Sequence, residues 1–123
     1  MNAYLQVALG GALGAVMRFG VSRYMPWHGA HFPIATFVVN VSDCFVMGLL
    51  AALFAHRGGH HLAPLLMTGV LGGYTTFSAF SLDALTLWQR GQMGPAVIYV
   101  AASVALSLIG VVAGLGLGRL LFA

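Results

Sequence analysis

The chain alternates long apolar stretches with short polar segments, and this alternation predicts four helices. Four stretches reach the roughly 20 mostly apolar residues that a membrane-spanning helix needs. They cover residues 4–21, 33–54, 62–88 and 95–122. The segments between them are short and rich in Gly, Pro, His and Arg, which is typical of loops. We therefore expect one all-α, four-helix transmembrane domain over residues 1–123.

The third stretch interrupts its own helical pattern. From Gly72 it reads GGYTTFSAFS, in which two glycines and a β-branched pair of threonines weaken a helix. Non-helical backbone at membrane depth is tolerated only where it is buried in protein or lines a wet cavity. We expect a break in mid-membrane whose freed carbonyl oxygens, being hard ligands, suit a hard cation such as sodium. The alternative is a glycine kink that only allows close packing.

Aromatic and hydroxyl side chains alternate after the predicted break. Phe77 and Phe80 are three residues apart and share a helical face. Ser78 and Ser81 share an adjacent face. The edge of a phenyl ring carries partial positive charge, so ring edges and hydroxyl donors together can replace the water around a small anion without a fixed charge that would trap it. Plain packing is the alternative for the two rings.

Composition places the chain in lipid and excludes several function classes. The sequence is 60% hydrophobic and only 6% charged, whereas soluble domains carry about a quarter charged residues. Its basic residues are single and scattered, so we expect no nucleic-acid partner. No nucleophile–base pair, phosphate loop or zinc-ligand spacing is present, so we do not expect an enzyme.

The arginines give almost no preference for one orientation in the membrane. Arg57 and Arg119 fall on one side, Arg23 and Arg90 on the other, and Arg18 lies just inside the first span. Because positive charge normally selects the cytoplasmic side, this balance predicts insertion in both orientations, that is, dual topology. The alternative is a fixed orientation set by something else.

Small residues recur at helix-packing intervals in two of the spans. Gly10 and Gly14 form such a pair in the first span, and Gly110, Gly114 and Gly118 continue the pattern in the fourth. Spacings of this kind let two helices approach closely. By themselves they indicate that helices pack and nothing further.

The segment GGYTTFSAFS resembles the GG-x-(T/S)-T-F-S-T-F-S signature of the Fluc-type fluoride channels, the CrcB family. The similarity extends over the whole chain, including GAVMRF at residues 14–19 and TFVVN at residues 36–40. An acid follows the signature by two residues, here Asp83 where the family usually has glutamate. The fourth span also places three polar residues on one face as the family does, namely Tyr99, Ser103 and Ser107.

The resemblance implies a multi-pass protein of the cell (inner) membrane that forms an antiparallel homodimer. Such a dimer would export fluoride passively to relieve fluoride toxicity, through two pores and around a central structural sodium ion. The backbone carbonyls of Gly72 and Thr75 would hold the sodium, and Phe77 and Phe80 would form a box of rings. Asn40 would donate to fluoride. The resemblance assigns the fluoride pathway to Asn40, Phe77, Phe80, Thr76, Ser78, Ser81, Tyr99, Ser103 and Ser107.

Three acidic or basic positions have structural or vestibule roles in this interpretation, namely Arg18, Asp83 and Asp43. The chain departs from the family at Asp43 and Cys44, where small residues are usual, and at Ala79, where a hydroxyl is usual. A carboxylate inside a span is costly unless it is paired or neutralised. Asp43 is accordingly protonated and hydrogen-bonded, paired with Arg18, or turned towards a wet vestibule.

Two other functions compete with the fluoride channel. A dual-topology, proton-coupled small-molecule exporter of the small multidrug resistance type also uses four short spans and a small dimer. It needs a membrane-embedded acid, and the first span has none, although Asp43 could serve. A non-transporting structural subunit would explain the glycine spacing but leaves the polar break without a purpose.

Overall fold

The computed structural model describes residues 2–27 and 32–123, and these residues fold as helices joined by short connections. Three spans are continuous, and the third span, His60–Gln89, is divided. In chain order the elements are α1 (Ala3–Tyr24), α2 (Ile34–Arg57), a 3₁₀ turn (His60–Leu62), a π segment (Pro64–Leu71), α3 (Gly72–Tyr74), α4 (Phe77–Gln89) and α5 (Met93–Phe122). All four spans are long and apolar enough to cross a membrane. The predicted all-α transmembrane fold is therefore confirmed.

The helices begin and end within three residues of the apolar stretches that predicted them. Met1 lies outside the described residues, and so do residues 28–31 of the first predicted loop. Where the two differ, the helix is usually longer, because polar residues at the membrane surface can complete a last turn. At the end of α2, for example, Arg57 is still helical, and its Nε donates to the carbonyl oxygen of Phe122 at 2.7 Å.

The glycine-rich faces join the spans in two pairs within the subunit. A Cβ on Gly14 of α1 would collide with the carbonyl oxygen of Val70 in the π segment. A Cβ on Gly114 of α5 would collide with the carbonyl oxygen of Phe45 in α2. At both crossings the backbones touch, which only glycine permits. The glycine spacing is therefore used inside one chain, and a dimer would have to use other surfaces.

The first half of the third span departs from α-helical geometry. Over Pro64–Leu71 the chain forms a π-helix, and at its end the Gly72 N–H reaches the carbonyl oxygen of Met67, five residues back. Such wide turns are rare and are found disproportionately at functional sites. The apolar spacing of this segment carried no sign of them, because π and α turns bury nearly the same residues over so short a length.

The predicted break exists, but it lies beyond the two glycines. Gly72 and Gly73 are helical, whereas Thr75 and Thr76 are extended, with ψ angles of 162° and 119°. Gly73 has another role, since a Cβ on it would lie 2.5 Å from the carbonyl oxygen of Gly11 in α1. Close packing against α1 therefore requires Gly73, and the β-branched threonines, which favour extended backbone, form the break.

Candidate functional site

Asn40 of α2 holds the break together. Its Oδ1 accepts hydrogen bonds from the Thr75 hydroxyl at 2.8 Å and from the Thr76 N–H at 3.1 Å. Its Nδ2 donates to the Thr76 carbonyl oxygen at 3.2 Å. The acceptor side of the amide is therefore fully occupied and its orientation is fixed. A side-chain amide has two N–H donors, so one remains beside the cavity described below.

Two backbone carbonyls at the break have lost the donors that a continuous helix would supply. In an α-helix the N–H of residue i donates to the carbonyl of residue i−4. The Thr76 N–H, the helical partner of the Gly72 carbonyl, donates to Asn40 instead. The Ala79 N–H, the helical partner of the Thr75 carbonyl, donates to the Thr76 hydroxyl at 3.1 Å, which caps α4. The carbonyls of Gly72 and Thr75 are thus set free of the helix ladder.

One of the two carbonyls between them has a side-chain donor. Gly73 O accepts a hydrogen bond from Arg18 Nε of α1 at 3.2 Å. Arg18 of α1 therefore contacts the backbone next to the break, and it does not line the cavity beside the rings. The Gly73 carbonyl has a charged donor, whereas the carbonyls of Gly72 and Thr75, the predicted sodium ligands, have no donor from the helix.

A cavity of about 180 Å³ opens next to the break. Its walls consist of hydroxyl, amide, phenyl and aliphatic groups, and among the described residues that line it none is charged. The lining residues are Asn40, Thr75, Thr76, Phe77, Phe80, Ser103, Val104 and Ser107. Ser103 is buried, and within the described part of the chain its hydroxyl has no hydrogen-bond partner. A donor is therefore available at the α5 wall of the cavity.

The two phenylalanines after the break stand side by side. The ring centroids of Phe77 and Phe80 are 5.7 Å apart with planes tilted by 42°, and Phe80 lies 5.2 Å from Tyr99. Phe80 is partly buried, whereas Phe77 is 79% exposed and stands on the outside of the subunit. The ring pair therefore runs from the packed interior to an uncovered face.

The remaining predicted pathway residues lie outside this cavity. Ser81 donates to the Phe77 carbonyl at 2.9 Å, and the Ser78 hydroxyl lies 3.3 Å from that of Thr76. Both serines are exposed on the surface of the subunit. Tyr99 is fully buried, and its hydroxyl donates to Asp83 Oδ2 at 3.2 Å.

Asp83 belongs to a second cavity near the start of α2. This cavity has a volume of about 360 Å³, and Asp83, Thr36 and Ser22 are among its lining residues. Tyr99 packs on Phe80 and also donates to Asp83, so it contacts one lining residue of each cavity. The predicted residues thus divide between a cavity at the break and a second, acid-lined cavity.

Asp43 is enclosed by protein. The residue is 5% exposed, and within the described residues its Oδ1 accepts no hydrogen bond. No ion pair joins it to Arg18 in that part of the chain, and the Arg18 Nε donates to the Gly73 carbonyl. The proposed pairing of Asp43 with Arg18 is therefore wrong.

The sequence did not single out two groups that hold the break. The Thr75 side chain, expected to contribute only its carbonyl, donates to Asn40. Ser42 contacts the Tyr74 hydroxyl at 3.1 Å, two residues along α2 from Asn40. The available signal was the polar residues Asn40 and Ser42, with Asp43 next to them, inside a mostly apolar span.

Known proteins of similar sequence carry one consistent description. A family model described as CrcB-like protein, Camphor Resistance (CrcB), matches residues 5–115. The fluoride-specific ion channel FluC of Paracoccus denitrificans (strain Pd 1222) is 58% identical over 122 residues, which is 99% of this chain and 98% of the relative. The fluoride-specific ion channel FluC of Cereibacter sphaeroides (strain ATCC 17029 / ATH 2.4.9) is 53% identical over 120 residues, covering 97% and 96%. With its four apolar spans, the chain is a multi-pass protein of the cell membrane.

Proposed function

The chain belongs to the CrcB family, and on this premise we propose that it is a fluoride-selective channel through which fluoride leaves the cell passively. The observation that carries the proposal is the cavity at the break, whose described lining combines hydroxyls, an amide and two phenyl rings without a charged side chain. The proposed activity is transport and not catalysis.

This lining suits a small anion that holds its water tightly. Fluoride can exchange its hydration shell for the Asn40 N–H, the Ser103 hydroxyl and the positive ring edges. Conduction also requires that the ion leave again, which a fixed arginine in the wall would oppose. Arg18 is bonded to Gly73 and lies outside the cavity lining, so the walls attract the anion without holding a full opposite charge.

The subunit acts as part of an antiparallel homodimer. Phe77, Ser78 and Ser81 are all exposed on one subunit at the depth of the break. Hydroxyls and broken backbone cannot face hydrocarbon without cost, so a second copy covers them. A two-fold axis relates the same surface on both copies, which gives two equivalent break cavities and hence two pores. The balanced arginines support insertion of the two copies in opposite orientations.

A structural sodium ion on the dimer axis completes the proposal. The residues fit such an ion, because the carbonyls of Gly72 and Thr75 have lost their helical donors and are hard oxygen ligands. When bound, the ion would supply a central positive charge that joins the two breaks. Gly72 is exposed on the single subunit, as a group shared with a partner must be.

Efflux from liposomes containing the purified protein tests the function. We expect rapid fluoride efflux that needs no pH gradient and chloride efflux that stays near the leak of empty vesicles. Transport of a cationic drug driven by a pH gradient would support the small multidrug resistance type of exporter instead. Vesicles that leak neither anion above background would support a structural subunit.

A further inference from the structure

Asp43 poses an electrostatic problem that the fluoride cavity does not solve. It is one of only two acids in the sequence, and only 5% of its surface is exposed. Its Oδ1 has no hydrogen-bond partner within the described residues. An ionised carboxylate in such a place is strongly unfavourable unless a positive charge lies nearby. It does not line the cavity at the break.

The helical positions of its neighbours show which way Asp43 faces. Asn40 bonds to Thr76, and Ser42 contacts Tyr74, so both point at the third span. Successive residues of an α-helix are rotated by about 100°, which places Asp43 on the arc of α2 between Asn40 and Ser42. The carboxylate therefore faces the third span as well.

The same contacts fix its depth. Asn40 meets Thr75 and Thr76, whereas Ser42, further along α2, meets Tyr74. The two spans run in opposite directions, so each step along α2 moves backwards along the third span. Asp43 lies one residue, about 1.5 Å, beyond Ser42, at the level of α3 (Gly72–Tyr74). This is the turn that carries the freed carbonyl of Gly72.

From this placement we infer that the Asp43 carboxylate is the countercharge of the cation held at the break. The inference rests on the proposed sodium site. The carbonyl ligands of that site are neutral, so they do not balance the charge of the ion. In the dimer two such carboxylates, one on the facing surface of each α2, offset it through a low-dielectric interior, where attraction between charges acts over longer distances than in water. They do so without being ligands.

Thermal unfolding of the purified dimer at increasing sodium concentration tests the inference, with ionic strength held constant by N-methyl-D-glucamine chloride. Because an ion that binds only the folded state stabilises it, the unfolding temperature of the wild type should rise with sodium. The variant Asp43→Asn keeps the shape and removes the charge. It should need about tenfold more sodium, or more, for the same half-effect. Without sodium it should unfold at a higher temperature than the wild type, because no unpaired carboxylate is buried.

The neighbouring residue provides the matched control. The Cys44 thiol contacts the Ser107 side chain of α5. The variant Cys44→Ser changes the side chain next to Asp43 without changing its charge, so it should keep the wild-type sodium midpoint. An Asp43→Asn variant with the wild-type midpoint would overturn the inference and leave the sodium site standing. A wild type that ignores sodium would overturn both. If the difference between wild type and Asp43→Asn disappears in an Arg18→Gln background, the carboxylate balances Arg18, and the inference is overturned.

Discussion

The two halves of the third span have opposite designs. The π segment (Pro64–Leu71) and α3 (Gly72–Tyr74) touch α1 through backbone, at crossings where an added Cβ on Gly10, Gly14 or Gly73 has no room. The second half, α4 (Phe77–Gln89), is a regular α-helix that packs on α5 through side chains, with Leu87 and Tyr99 fully buried. The first half packs closely because glycines at the crossing have no side chain, whereas the second half packs through the side chains that it carries.

This difference shows why the break lies where it does. A backbone-to-backbone crossing leaves no room for side chains between the two helices, so at its contact with α1 the first half provides position and carbonyl oxygens. The second half meets its neighbour through side chains, and two of these, Phe77 and Phe80, line the cavity. Asn40 spans the junction by bonding both extended residues. Within the two extended residues of the break, the third span therefore changes from a segment that packs on α1 to a helix whose side chains line the cavity.

The largest effect is expected where the first half touches α1. In Gly14→Ala the new methyl group meets the Val70 carbonyl and lies 2.7 Å from the Tyr74 nitrogen. Since both are backbone atoms that cannot swing aside, the change should cost about 3 kcal/mol or more, and little folded dimer should be recovered on size-exclusion chromatography. Gly20→Ala adds the same methyl group where nothing lies within 4 Å, and it should fold normally. Equal yields of the two variants would show that the crossing tolerates a side chain.

The next largest effect is expected at the break, where Asn40 bonds Thr75 and Thr76. In Asn40→Asp both acceptor bonds to Thr75 and Thr76 survive, but the donor to the Thr76 carbonyl becomes a carboxylate oxygen. A negative group then lines the cavity, and fluoride efflux from liposomes should fall to the level of empty vesicles. The dimer should still elute at its normal volume, because the break keeps its acceptor. Appreciable efflux from Asn40→Asp would mean that the amide N–H is not a fluoride donor.

A smaller effect is expected within the second half. Phe80→Ile keeps most of the bulk but removes the ring edge, so fluoride efflux should fall about tenfold, the equivalent of one aromatic contact of some 1.4 kcal/mol. Phe37→Ile is the control, because that ring meets Phe32 at 5.2 Å and does not line the cavity at the break. Efflux that persists in both Phe77→Ile and Phe80→Ile would show that the rings only pack and do not contact fluoride.

Much of this architecture followed from the sequence because it depends on local pattern. Four apolar stretches of sufficient length predicted the four spans, and the i, i+3 spacing of Phe77 and Phe80 predicted rings that lie side by side. The position of the break did not follow. Gly72 and Gly73 weaken a helix in isolation, but contact with Gly11 of α1 keeps Gly73 helical. A contact between spans 60 residues apart outweighed the local preference.

The bonding of the polar residues was equally non-local. Tyr99 and Ser103 share a face of α5, yet Ser103 opens into the break cavity while Tyr99 donates to Asp83. Helical spacing groups residues by face and does not say which partner each one meets along that face. Arg18 illustrates the same limit, since its bond to the Gly73 carbonyl depends on how α1 crosses α3.

The smallest expected effect tests whether the α4 cap and the freed carbonyl are linked. The Thr76 hydroxyl accepts from the Ala79 N–H and so keeps that donor away from the Thr75 carbonyl. Thr76→Val has the same shape without the acceptor and should lower the free energy of unfolding by about 1 kcal/mol, as loss of an N-cap does. The released Ala79 N–H can then turn towards the Thr75 carbonyl, which would become a poorer ligand for the proposed sodium ion. The sodium midpoint of thermal unfolding should therefore rise in Thr76→Val, by less than in Asp43→Asn, and stay unchanged in Thr76→Ser, which retains the hydroxyl. A stability loss without any change in the sodium midpoint would separate the cap from the ion site and leave the freed Thr75 carbonyl as a consequence of the break alone.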